Sequence, residues 1–163
     1  MGFGQSVKTC FGKYADFKGR ALRSEFWWFY LFLQLVFLPF WVIFMVLYVA
    51  AFATSIDAYG NFEPTWANFA PMIIVYAVMS LVNLVLLIPF LAASARRLHD
   101  MGQSGHWLWL NVAGLGVVPL IMCIMDTQPF NNQWGPDPKA HERVAMGGYN
   151  AGYHPSFPPP PPA

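Results

Sequence analysis

Charge is what this sequence has least of. Of its 163 residues only 17 are Asp, Glu, Lys or Arg, 10% of the chain, against about 25% in ordinary soluble proteins. A water-soluble globule is excluded by where the charge is missing, because residues 26–53, 70–95 and 107–125 contain none at all. Apolar runs longer than about 18 residues are candidate membrane spans. Cysteine is nearly absent too. Cys10 precedes the first run and Cys123 lies in the third, so no disulfide framework is expected. A net charge of +1 argues against nucleic acid as a partner for the chain as a whole. There is no Gly-rich phosphate loop, nucleophile elbow or pair of catalytic carboxylates, and the four histidines have no zinc-site spacing. No cofactor, no metal and no catalytic activity are expected. A cleavable signal is not expected either, since the first 25 residues carry charges throughout and no apolar core.

What is present is 56% hydrophobic and 18% aromatic, and it is arranged in blocks. The expected architecture is an all-α, polytopic membrane protein. Three transmembrane helices, at about 26–53, 70–95 and 107–125, follow a short amphipathic interfacial helix, and residues 1–145 form the membrane domain. Residues 146–163, rich in Gly, Tyr and Pro, read as a disordered tail. The interfacial helix rests on Val7, Cys10, Phe11, Tyr14 and Phe17, spaced by threes and fours among Lys8, Lys13, Asp16 and Lys18, with Gly19 as its stop. The other reading of that segment is a basic flank that only sets topology. Pro39 falls inside the first run, where it removes a helix hydrogen bond. The third run is barely long enough to cross and contains Gly114, Gly116 and Pro119. It reads either as a kinked span or as a re-entrant loop.

Orientation follows from the basic residues. Five of nine precede the first run, Arg96 and Arg97 follow the second, and the 54–69 loop has none. The positive-inside bias therefore places the amino terminus and the Arg96 loop in the cytoplasm.

Two polar clusters flank the runs. Arg20, Arg23 and Glu25 stand just before Trp27. Arg96, Arg97, His99 and Asp100 close the second run, followed by Gly102 as a left-handed helix stop and Ser104 as a cap. Arg20 and Arg23 are expected at the headgroup level, with Glu25 free to pair with Arg96 or Arg97. His99 beside Asp100 suggests a hydrogen-bonded, pH-responsive pair, and the plain structural alternative is a tight, charge-anchored hairpin.

The segments Phe17–Phe29, Arg96–Gly105 and Asn132–Pro138 resemble three signatures of the bacterial inner-membrane proteins called domain-of-unknown-function family 805. The resemblance covers about residues 8–139. His106 departs from the usual tryptophan, Gln103 from a frequent basic residue and Trp134 from a frequent tyrosine or phenylalanine. It implies a small inner-membrane protein of bacteria and says nothing of mechanism. The most economical function is a non-catalytic membrane adaptor or assembly module. Its partners would be the lipid bilayer with its anionic headgroups, other membrane proteins or a second copy of the chain. One alternative is a subunit of an oligomeric transporter, drawing on Gln34, Ser80, Asn83 and Asn111. The other is a headgroup-layer enzyme using His99 and Asp100.

Overall fold

A computed structural model describes residues 1–145. They are helical, with only isolated β-bridges besides. In chain order the helices are α1 (Phe3–Gly12), α2 (Arg23–Thr54), α3 (Trp66–Asp100), a 3-10 turn (Gly105–Leu108), α4 (Trp109–Val112), α5 (Val117–Met122) and α6 (Ala140–Ala145). The expected tail lies outside the described residues.

Two helices, α2 with 32 residues and α3 with 35, are long and apolar enough to cross a membrane. At 1.5 Å per residue each runs to roughly 50 Å, beyond the ~30 Å hydrocarbon core. Pro39 is accommodated inside α2 without ending it.

Contacts divide the chain into two compact units. One holds residues 31–87, and the other holds residues 1–30 together with the described residues from 88 to 145. In the first unit a structured loop joins α2 to α3. The Asp57 carboxylate accepts from the backbone N–H of Tyr59 and of Asn61, both at 2.8 Å, and Gly60 turns the chain at φ +85°. Phe62 folds back to stack on Phe52, and Asn68 of α3 donates to the Thr54 hydroxyl at 2.9 Å.

The second unit has a core of Cys10, Phe26, Phe29, Leu98, Met101 and Cys123, closed by the small residues Ala92, Ala93 and Ala95. Small side chains permit close backbone approach. Here the Ala21 N–H reaches the Arg96 carbonyl at 3.1 Å. The interfacial helix differs in extent from its expected period. It starts at Phe3 and ends at Gly12, and Tyr14 and Phe17 lie beyond it in a turn that Gly19 completes at φ +81°.

The run 107–125 is not one helix. Gly114, at φ +77°, takes the left-handed conformation, the Leu115 N–H bonds the Leu110 carbonyl at 2.8 Å, and α4 is terminated there. The residue two before the run and the run's far end lie against the last turns of α3. A Cβ placed on Gly105 would sit 3.5 Å from the Ala95 side chain, and Arg97 bonds the carbonyls of Cys123 and Met125.

Candidate functional site

Successive residues on an α-helix point about 100° apart, so Arg96 and Arg97 cannot share a partner easily. Arg96 faces the amino-terminal segment. It donates to Glu25 Oε1 at 3.0 Å and to the carbonyls of Asp16 at 3.0 Å and Lys13 at 3.3 Å. Lys13 is the C-cap of α1, so the guanidinium sits at the negative end of that helix. Arg97 faces the broken run. It pairs with Asp100 one turn on and donates to the Cys123 carbonyl, at 3.2 Å, and to that of Met125. Cys123 is the C-cap of α5, so the second arginine closes a second short helix.

Asp100 joins this arrangement to Arg20. Its Oδ1 accepts from Arg20 Nε at 2.9 Å while its other oxygen meets Arg97. Arg20 then uses its remaining donors on the carbonyls of Gln128 at 2.8 Å, Phe130 at 2.7 Å, Asp100 and Gly135. The end of α3 is finished by Gly102, at φ +75°, with the Gln103 N–H on the Leu98 carbonyl and the Gly102 N–H on that of His99. Asn132 caps the same end, donating to the His99 carbonyl at 2.8 Å.

The side chains of Arg20, Glu25, Arg96, Arg97 and Asp100 are all buried. Three guanidinium groups face two carboxylates, and the excess positive charge is met by backbone carbonyls, whose dipoles substitute for water. Removing one member of such a buried pair costs about 3–5 kcal/mol, because its partner is left charged in a poor solvent. Cys10 also lies here, its thiol 4.0 Å from Glu25 Oε1. Burial first, and then the Glu25 carboxylate, push that thiol up to about 12. It is an uncharged packing group rather than a nucleophile.

The seven residues singled out in the sequence separate into three groups. Five form the buried network. Arg23 stands at its rim, donating to the Met125 carbonyl at 2.9 Å and lying 3.5 Å from the exposed Asp126. His99 stands apart: its ring stacks on Trp134, centroids 4.7 Å apart and 6° from parallel.

One expectation narrows and two change. Glu25 pairs with Arg96 and not with Arg97, for the angular reason given. Arg20 is not a headgroup anchor, since its side chain is 2% exposed. The His99–Asp100 pair does not form, because both carboxylate oxygens of Asp100 are taken by arginines. Sequence reasoning passed over Gln128, whose N–H bonds the Asp100 carbonyl at 3.1 Å and whose amide receives Asn132 at 3.2 Å. A lone glutamine in a loop carries no signal of its own.

The three sequence signatures, more than a hundred residues apart at their extremes, thus meet in one buried polar network. No curated protein and no solved structure matches the chain. A family match covers residues 14–136, the span that contains this network, and its description is "Protein of unknown function (DUF805)": the chain belongs to that family.

Proposed function

We propose that the chain is a non-catalytic membrane adaptor or assembly module, seated in a bacterial inner membrane with its amino terminus in the cytoplasm. One observation carries this reading: Arg20, Glu25, Arg96, Arg97 and Asp100 are bonded to one another and to backbone carbonyls, and the His99 ring stacks on Trp134 and hydrogen-bonds the Gly19 backbone rather than a carboxylate. A network of that kind fixes geometry. It holds α1, the start of α2, the end of α3 and the 126–135 loop as one headpiece that partners could grip.

In this reading α2 and α3 cross the bilayer, and residues 105–125 dip into it and return. Support comes from Gly105 and Cys123, at the two ends of that segment, lying against residues 95–97, and from its exposed apolar residues Val112, Leu115 and Val117 together with exposed Trp107 and Trp109. The tail then emerges in the cytoplasm. Lys8, Lys13 and Lys18 are exposed and would meet anionic headgroups.

Carboxyl-terminal fusions test the topology. A fluorescent reporter that matures only inside should light up, and a phosphatase active only outside should stay silent. The reverse pattern would make 107–125 a full crossing. For the non-catalytic role, His99→Gln should keep the cellular phenotype at normal protein level. Loss of the phenotype at unchanged level would overturn it.

A further inference from the structure

The break in the third run makes a half-open pocket of about 180 Å³ between the run and the ends of α2 and α3. One wall is aromatic. Phe26, Tyr30 and Phe90 lie with ring centroids 6.2 to 6.4 Å apart. Leu108, Asn111, Pro119 and Leu120 also line the pocket. Tyr30 and Cys123 also bring polar atoms to the lining, and the remaining two polar side chains differ in one respect. Ser94 returns its hydroxyl to the Phe90 carbonyl at 2.7 Å, whereas Asn111 gives one amide hydrogen to the Leu108 carbonyl at 2.8 Å and has a second hydrogen and its oxygen to offer. Gly116 makes room for that amide, since a Cβ at 116 would come within 2.6 Å of Asn111 Oδ1.

An apolar cavity of about 150 Å³ holds one benzene ring. The geometry points to a binding site for a ring-sized apolar group bearing a hydrogen-bonding oxygen, a phenol or quinone-type headgroup. Its ring lies against Phe26, Tyr30 and Phe90, and its oxygen meets Asn111. The amide serves either form: Oδ1 accepts from a phenol, and the free N–H donates to a quinone carbonyl. A lipid acyl chain fills the same volume but gives the second amide hydrogen and Oδ1 no partner, which is unfavourable where water is excluded. Access from the bilayer rests on the re-entrant reading above; the site itself does not.

The test uses the full chain in phosphatidylcholine nanodiscs and fluorine NMR of 4-fluorophenol, with fluorobenzene as the oxygen-free probe and empty nanodiscs as background. Expected is saturable binding of 4-fluorophenol that Asn111→Leu weakens about fivefold or more, the worth of one hydrogen bond. Fluorobenzene should bind both proteins alike. Leu108→Trp, which fills the pocket, should abolish both. Asn111 is exposed, so its replacement spares the fold, and equal thermal midpoints check this. Absence of saturable binding overturns the proposal. So does equal 4-fluorophenol binding by Asn111→Leu, which would assign the pocket to hydrocarbon chains. A tail found outside the cell would remove the re-entrant route and leave the binding result standing.

Discussion

The two units of this chain solve opposite problems. Residues 31–87 contain two of the seventeen charges, Asp57 and Glu63, and turn Leu35, Val46, Val49, Leu81 and Leu84 outward, each more than half exposed. That surface is stable only against an apolar solvent. The other unit holds the remaining fifteen charges and buries Arg96, Arg97 and Asp100 completely. Its interior is polar and directional, so it depends on partners being present in fixed positions. The same kind of substitution should therefore have very different consequences in the two.

The largest contrast is expected for carboxylates. Asp100→Ala leaves Arg20 and Arg97 buried without an anion, and should lower stability by about 3–5 kcal/mol. Glu63→Ala removes an exposed loop charge and should stay within about 0.5 kcal/mol. Thermal unfolding of the detergent-purified proteins reads both. Equal midpoints would erase the difference between the units.

The pair Glu25 and Arg96 comes next. Glu25→Arg or Arg96→Glu alone sets like charges together in a buried site. Combining them restores the pair, though not the bonds of Arg96 to the Lys13 and Asp16 carbonyls, so partial rescue is expected with a coupling of about 0.5–3 kcal/mol. Glu25→Arg with Arg97→Glu should show no rescue. Rescue by position 97 and not by 96 would contradict the assigned pairing.

How much of this was legible in the sequence differs between the units for the same physical reason. Two long apolar helices follow from absence of charge, a one-dimensional property, and 26–53 and 70–95 fall inside α2 and α3 as found. The loop between them was legible as well, though α3 starts at Trp66, inside the stretch 54–69 read as loop. The network was only half legible. Arg20, Glu25, Arg96 and Asp100 stood out as charges flanking apolar runs, but their pairing depends on helix rotation and on a loop more than a hundred residues from Arg20. The third run was legible only as a choice, kinked span or re-entrant loop: Gly114, Gly116 and Pro119 marked an interruption, but hydropathy counts side chains and ignores backbone conformation. Gly114 is neutral on such a scale, yet its left-handed φ ends α4.

Two glycines sharpen the comparison at a smaller scale. Gly60 and Gly102 have similar conformations, φ +85° and +75°. A Cβ at Gly60 meets open space, whereas one at Gly102 would fall 2.3 Å from the Gln128 amide nitrogen. Gly60→Ala should cost only the backbone strain, about 1–2 kcal/mol. Gly102→Ala adds displacement of Gln128, and with it the Asn132 contact, for a total of about 2–4 kcal/mol. Similar losses at the two sites would mean that the 126–135 loop yields freely.

The smallest expected effect is a pH response confined to the exposed loop. Hydrogen bonds from the Asn61 side chain and backbone, and then from Tyr59, hold the Asp57 carboxyl below its ordinary value of 3.8. A depressed value means the ionised form is favoured in the folded loop. Its contribution is present above 3.8 and is lost as the pH falls through the lower folded value. Amide exchange at Tyr59 and Asn61 should therefore accelerate on acidification below that range, and Asp57→Asn should remove the dependence. The buried network is built on other bonds, from Arg20, Arg96 and Arg97 to backbone carbonyls. Amides bonded within it, such as Ala21 and Gln128, should hold their protection while the loop opens. Simultaneous loss in both places would mean that the two units unfold as one.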